Sequence, residues 1–439
     1  MLAKTFELND KRIINGWAFY DWANSSYALV ISSAIFPAYF LEVTTPNIPL
    51  GNLAISNSTF YAYSISLAYL IIAAINPFLS GIADAGGRRK MFLRLFTILG
   101  SVCCAALFFF KDMTQLWLGT VAFMLATIGF TGSLVFYDAY LPEIVTEDRL
   151  DKTSAKGYSF GYIGSVILLL INLVVILKPD LFGIPAESSL AVRLGFIMVG
   201  LWWFGFAQIT FHRLPGDRDF VPQKNIFRKG YQQINEVWHK LRRLPDLKRF
   251  LVAYFFYSAG VQTVLYLAAT FAKNELHFES FELIIIILIL QLVAIGGAYS
   301  FARVSEIKGN KWTLLLMLYT WIIICGLAYA VQEKLQFYLI AGLVGLVMGG
   351  IQALSRSTYS KLIEEYKHDV TSFFSFYDVV TKLAIIVGTF SFGFAEYLTG
   401  SMRGSVLVLA TYFIIGILVL FTTKAKAIIL PTKSLSLKV

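Results

Sequence analysis

The chain has 439 residues, of which 57% are hydrophobic, 16% aromatic and only 15% charged. A soluble domain carries about 25% charged residues, so a globule of this composition would not stay in water, and lipid is expected to form part of its solvent. The formal net charge of +10 does not point to nucleic acid, because Lys and Arg cluster in short segments between long apolar runs, the pattern of loops kept on the cytoplasmic side of a bilayer.

A helix needs about 20 apolar residues to cross the hydrocarbon core. Taken in chain order, that length predicts spans at 13–41, 58–83, 92–110, 115–139, 157–177 and 191–212. A polar stretch follows, 213–247, and then spans at 248–272, 281–304, 312–331, 336–355, 373–397 and 402–423. The first apolar run is too long for the core of a signal peptide, so no cleavable leader is expected. The fold class read from this pattern is an all-α membrane protein of twelve transmembrane helices in two six-helix halves. The halves are residues 1–212 and 248–439, joined by a cytoplasmic linker.

Orientation follows from the basic residues. With the N-terminus inside, the cytoplasmic segments hold 30 of the 37 Lys and Arg residues. The remaining ones are Lys111, Lys178, Arg193, Lys273, Lys334, Lys382 and Arg403. Both termini are therefore expected in the cytoplasm. Within the linker, Ile226-Phe227, Tyr231, Ile234, Val237-Trp238 and Leu241 recur at helical spacing. Two readings fit: an amphipathic helix lying on the inner leaflet, or a solvated linker with a short helix.

The two halves carry a repeat. Asp84-Ala85-Gly86-Gly87-Arg88-Arg89-Lys90 follows the second span, and Glu306-Ile307-Lys308-Gly309-Asn310-Lys311 follows the eighth. Both read acidic-x-x-Gly and then a basic or polar cluster, as two parallel halves of a transporter would produce. Phe19-Tyr20 against Phe255-Phe256 extends the alignment weakly. The three cysteines, Cys103, Cys104 and Cys325, lie inside apolar runs, and the four histidines fall at or beyond span ends. Neither set has metal or disulfide spacing, so no metal, no other cofactor and no histidine relay is expected. No P-loop and no nucleophile constellation is present, which argues against ATP-driven transport and against an enzyme.

The Asp84-x-x-Gly87-Arg88-Arg89 loop, placed between spans two and three with a degenerate copy in the second half, resembles the signature loop of the major facilitator superfamily. A narrower resemblance rests on Tyr20-Asp21-Trp22-Ala23-Asn24-Ser25-Ser26-Tyr27 in span one and Gly349-Gly350-Ile351-Gln352-Ala353-Leu354-Ser355-Arg356-Ser357 in span ten. Leu141-Pro142-Glu143-Ile144 and Gly161-Tyr162-Ile163-Gly164-Ser165 extend it. Together these are similar to the bacterial branch of the family that includes the fungal autophagy-related vacuolar amino-acid effluxers. The resemblance implies a facilitator fold and efflux of amino acids or similar small solutes. It also implies that Asp138 pairs with Arg88 beside Asp84, as a latch on the cytoplasmic side. The family pattern carries an acid just before the Gly-Val-Gln-Thr of span seven. Here the run is Ser258-Ala259-Gly260-Val261-Gln262-Thr263, so coupling that needs an acid in both halves lacks it at Ala259.

A charge within a span costs roughly 2.5–3.5 kcal/mol on insertion scales, so each one needs a reason. Asp21 lies about eight residues into span one, with Asn24, Ser25 and Ala28 on the same face. That stripe either binds substrate or coupling ion, or is a carboxylate held by neighbouring helices. Asp378 and Lys382 have the favourable i, i+4 order for a helical ion pair. Arg356, on one face with Gln352 and Ser355, is a candidate third partner, and Lys382 could instead hold a substrate carboxylate. Gln262, Gln291 and Asn172 either line a cavity or hydrogen-bond between helices. Glu396, at the outer end of span eleven, is expected to be wet. The aromatic residues of span one, Trp17, Phe19, Tyr20, Trp22 and Tyr27, either shape a pocket or, for Trp17, anchor at the interface.

The reading is a monomeric secondary transporter of the bacterial inner membrane, working by alternating access. A small polar solute, amino acids or related metabolites, is its substrate, with proton or sodium as the coupling ion. Substrate and coupling are expected at Asp21, Asn24, Ser25, Gln262, Gln352 and Lys382. The cytoplasmic latch is expected at Asp84, Arg88, Asp138, Glu306, Arg356 and Asp378. The alternatives are a drug, lipid or sugar facilitator, since fold does not fix function, and a transport-inactive receptor or assembly partner. The topology is checked by cysteine labelling in sealed cells. Thiols at Asn52 and Ser188 should react with an impermeant reagent added outside, and one at Gln223 should not.

Overall fold

The protein is described by a computed structural model, which covers residues 7–50, 53–185, 189–217 and 226–429. The labelling positions Asn52, Ser188 and Gln223 lie outside these residues. Among the described residues, twelve helices are long and apolar enough to cross a membrane, as the apolar runs predict.

The first, α1 (Lys11–Val43), is α-helical over Lys11–Ser26, π-wound over Tyr27–Ile35 and α-helical again from Phe36. Pro37 has no N–H to give back to Ser33, so the regular ladder is interrupted there. The Phe36 N–H reaches five residues back, to the Ile31 carbonyl. A short antiparallel hairpin, β1 (Asn47–Leu50) and β2 (Leu53–Ser56), leads into α2 (Asn57–Gly86). Ser56 caps α2 by accepting from the Thr59 N–H, and Gly87 ends it at φ 64°, a left-handed turn that favours glycine. Next come α3 (Arg89–Ala106), α4 (Leu116–Asp138), α5 (Leu150–Leu177) and α6 (Leu190–Arg213). The linker forms α7 (Ile226–Arg243). The remaining spans are α8 (Pro245–Leu276), α9 (Ser280–Lys308), α10 (Asn310–Ala330), α11 (Lys334–Leu362), α12 (Val370–Thr399) and α13 (Met402–Phe421).

Two edges differ usefully from those read off hydropathy. Helix α5 begins at Leu150 rather than 157, and α11 runs to Leu362 rather than 355. The added turns are polar, and they stay helical because Asp151, Ser154 and Lys361 find partners inside the protein.

The chain forms two compact units. One contains Lys11–Asp138 and Phe160–Gly230; the other contains Glu7–Asp10, Ala139–Ser159 and the chain from Tyr231 onward. The boundary therefore runs through α5, between Ser159 and Phe160. Along α7, Val237 is fully buried and Leu241 is 8% exposed, whereas Tyr231 and Trp238 of the same seam are 68% and 40% exposed.

In the first unit the core is aromatic. Phe36 stacks on Phe123 at 4.4 Å, and Phe40, Phe110 and Phe196 surround the pair. The glycines of the span-five motif serve packing: a β-carbon on Gly161 would stand 2.5 Å from Ser25 Oγ, and one on Gly164 2.6 Å from the Trp22 carbonyl. In the second unit, α9 and α11 touch through small residues, as helices in lipid commonly do.

Each unit also ties its third span to its last. The Lys90 ammonium donates to the Leu214 carbonyl at 2.7 Å, and Lys311 donates to the carbonyls of Phe421 and Thr423, both at 2.8 Å. A cation on the open carbonyls of a helix end is a favourable cap.

A β-carbon on Gly349 would lie 2.1 Å from the Ala294 carbonyl oxygen, whereas one on Gly326 would meet nothing within 4 Å. Gly349→Ala should therefore cost about 1–3 kcal/mol, and Gly326→Ala should be neutral or slightly stabilising. Thermal melts of the two purified variants check this.

Candidate functional site: buried polar clusters in the two units

The first unit holds one candidate cluster, on the α-helical part of α1. Asp21 is 5% exposed and accepts a hydrogen bond from the Tyr137 hydroxyl of α4 at 2.8 Å. Tyr137 is fixed in turn by Trp17, whose ring stacks on it at 4.6 Å and 12°, and whose indole N–H donates to the Tyr137 carbonyl at 3.0 Å. Tyr20 also packs on Tyr137, with ring centroids 4.9 Å apart, and shares a 2.8 Å hydrogen bond with Thr97. Trp17 is thus a buried brace for the carboxylate's partner and not an interface anchor.

Asn24, one turn above Asp21, is fully buried, and both ends of its amide lack a hydrogen-bond partner among the described residues. Leaving a buried polar group unsatisfied costs about 1–3 kcal/mol. Ser25 and Ala28 on the same stripe are half-buried. Just beyond begins the π-wound stretch, a departure that recurs at functional sites.

The second unit carries two clusters. Asp378 and Lys382 of α12 form the expected i, i+4 ion pair, with the lysine 3% exposed. Tyrosines from three helices gather on the same side of the unit: Tyr377 of α12 stacks on Tyr254 of α8 at 4.3 Å and lies 4.8 Å from Tyr359 of α11. Tyr254 bonds Thr381, and Tyr257 bonds Ser355, each at 2.8 Å. Gln262 and Gln352 are half-buried on α8 and α11. Ala259 is fully buried, with its carbonyl 2.5 Å from where a β-carbon on Gly388 would stand, so this position is close-packed.

The other cluster escaped the sequence reading. Asp151, in the first turn of α5, pairs with Lys361 of α11 at 2.8 Å, and both side chains are 1% exposed. Asn310 donates to the second Asp151 oxygen at 2.8 Å, Ser305 donates to the first at 2.9 Å, and Lys361 also donates to the Asn310 oxygen at 2.8 Å. One turn along, Arg356 donates to the Ser154 hydroxyl at 3.0 Å and to its carbonyl at 2.9 Å. Its guanidinium lies 4.2 Å over the Tyr158 ring. Hydropathy had set Asp151 and Lys361 in loops. The signal that could have found them is Asp-x-Thr-Ser, which opens α5 at Asp151-Lys152-Thr153-Ser154 and recurs at Asp369-Val370-Thr371-Ser372 before α12.

Asp84 meets Arg89 at 3.4 Å, Arg88 places its guanidinium 3.8 Å from Met91 Sδ, and Asp138 is half-buried at the end of α4. Glu306 pairs with the exposed Arg303 at 3.0 Å. Asn172 donates to the Leu168 carbonyl within its own helix, and Gln291 and Glu396 are half-buried. No group of three or more His, Cys, Asp or Glu side chains that could hold a metal occurs among the described residues.

Among the described residues, twelve helices of spanning length, with charged and amide side chains buried within each unit, describe an integral membrane protein built like a solute transporter. The comparisons agree. The family model described as "Vacuole effluxer Atg22 like" matches residues 9–427, and the chain belongs to that family. It is 33% identical over 408 residues to the MFS-type transporter YxiO of Bacillus subtilis, covering 92% of this chain and 93% of that one. It is 26% identical to autophagy-related protein 22 of Saccharomyces cerevisiae, covering 81% and 76%. Among solved structures, the E. coli fucose:proton symporter FucP aligns with a TM-score of 0.68 at 13% identity, covering 94% of this chain and 98% of that one. A bacterial homologue of the iron transporter ferroportin aligns at 0.63 and 14%, covering 93% and 98%. Its relatives are named as transporters, not enzymes.

Breaking a buried ion pair from one side leaves a charge uncompensated, at a cost of about 3–5 kcal/mol. Lys361→Met should therefore lower the melting temperature sharply, and adding Asp151→Asn should restore most of the loss. A double-mutant cycle on the melting temperatures gives the coupling; additive effects would mean the pair does not hold α5 to α11.

Proposed function

We propose that this protein exports or exchanges amino acids or related small polar metabolites across the bacterial inner membrane by alternating access. It sits there with both termini in the cytoplasm. The reading is carried by Asn24, whose buried amide has neither donor nor acceptor satisfied among the described residues, one turn from the Asp21 carboxylate. A fold does not ordinarily leave such a group empty-handed, and a polar solute with both donors and acceptors is the complementary ligand.

Each unit, taken by itself, buries a charge that suits a polar solute. In the first, Asp21 suits an ammonium, a proton or sodium. In the second, Lys382 suits a carboxylate whenever it is released from Asp378. Occupancy and protonation at Asp21 would compete, which is the minimal chemistry for coupling. The split of 30 basic residues against seven supports the orientation. The names of the fungal relatives' family, vacuole effluxers, support the direction of flux. The latch of Asp84, Arg88 and Asp138, with Glu306 on the repeated loop, is proposed to govern the cytoplasmic side.

Counterflow of radiolabelled amino acids in proteoliposomes tests the proposal. Asp21→Asn should fold normally, since the amide is nearly isosteric, yet lose pH- or sodium-dependent transport. Asn24→Leu should raise the melting temperature, by removing an unsatisfied group, and lower transport at least tenfold. If both variants transport like the parent at every pH, the site is elsewhere. If the parent moves no amino acid, a sugar, lipid or drug substrate, or a receptor without transport, takes this reading's place.

A further inference from the structure

Asp369 stands immediately before α12, at the position where an aspartate ordinarily accepts a hydrogen bond from an N–H two or three residues on. Its side chain makes no such capping bond. It points to the linker helix instead. One carboxylate oxygen accepts from Gln233 Nε2 at 2.6 Å, and the other pairs with the Lys240 ammonium. Gln233 and Lys240 are seven residues apart, two turns along one face of α7. Val237 lies buried between them. Trp238 stacks on Phe376 of α12 at 5.7 Å, and Lys240 also lies 5.9 Å over the Tyr366 ring.

The Asp-x-Thr-Ser repeat supplies a comparison within the molecule. Asp151, which opens the same motif but lies within the first turn of its helix, is held by Ser305, Asn310 and Lys361, with its lysine partner's side chain 1% exposed. Asp369 is held by a lysine whose side chain is 39% exposed. Water and salt reach the second pair and not the first, so the two matched aspartates differ in how easily they let go.

We propose that α7 is a releasable clamp on the start of α12. It draws the Asp369 carboxylate away from its own helix end, and on release that carboxylate caps α12 instead. One carboxylate with two alternative sets of donors makes a two-state element. It bears on the site because Asp378 and Lys382 lie on α12, nine and thirteen residues beyond Asp369. Docked, α7 holds this end of α12 still; undocked, it lets the end move. Insofar as the clamp restrains turnover, it rests on the transport reading above.

The test uses the full-length protein in nanodiscs, with Cys103, Cys104 and Cys325 replaced and Val237→Cys added as a reporter. The thiol at 237 should be protected when α7 is docked. Gln233→Leu with Lys240→Met, or Asp369→Ser alone, should raise its reactivity about tenfold or more, as should 1 M salt on the parent. Serine is a good cap, so Asp369→Ser should melt at the parent's temperature while Asp369→Ala melts lower. Hydrogen exchange of segment 233–241 in the same variants, without the reporter, gives the answer should Val237→Cys fail to fold. A protected thiol and unchanged exchange in Asp369→Ser would overturn the clamp. Radiolabelled amino-acid flux should rise severalfold in the released variants, and flux that is unchanged or lower with α7 undocked would overturn its role as a restraint. A parent protein that moves no amino acid would count against the transport reading alone, because thiol reactivity and exchange judge the clamp without it.

Discussion

A charge shut away from water is costly unless it is paired or hydrogen-bonded, and the buried charged side chains of these helices are placed under that constraint. The second unit meets it by pairing. Asp151 and Lys361 share Asn310 and Ser305, Asp378 answers Lys382, and Arg356 spreads its charge over a backbone carbonyl, a hydroxyl and an aromatic face. In the first unit the buried Asp84 meets Arg89. Asp21 takes the hydroxyl of a tyrosine that Trp17 and Tyr20 hold rigid.

The constraint also explains how much could be read from the chain alone. Twelve spans, the repeat around Asp84 and Glu306, and the Asp378–Lys382 pair were all legible, because each rests on local spacing: the length of an apolar run, a four-residue offset, a glycine after an acid. Asp151 and Lys361 were not. They are 210 residues apart, and hydropathy counts each as a loop residue because it scores a side chain without knowing its partner. The same blindness hid the role of Trp17. Nothing in the order Trp-Ala-Phe-Tyr says that the indole will lie flat on a tyrosine 120 residues later.

The motif glycines show a middle case. Gly161 and Gly164, and Gly349 and Gly350, were visible as family marks, yet only coordinates give their reason. Helix backbones and ring edges come within 2.1–2.6 Å of where a β-carbon would stand. What looks like a signature for function is, at these positions, a requirement of packing. Around Asp21 the two coincide: Gly161 lets α5 sit against Ser25, on the polar stripe itself.

The π-wound stretch of α1 follows directly above that stripe. In a regular α-helix each residue adds about 100° of rotation, so a wheel drawn from Asp21 would say which residues farther up share its face. From Tyr27 to Ile35 the turns are wider, and the wheel goes out of phase. The aim of Asp21 and Asn24 relative to Phe36 and Phe40 is therefore set by a count of residues as much as by their kinds. A single deletion among the unremarkable Ala28–Ala34 would turn the carboxylate by about a quarter of a circle. That stretch behaves as a gear tooth: its composition can drift, but its length cannot.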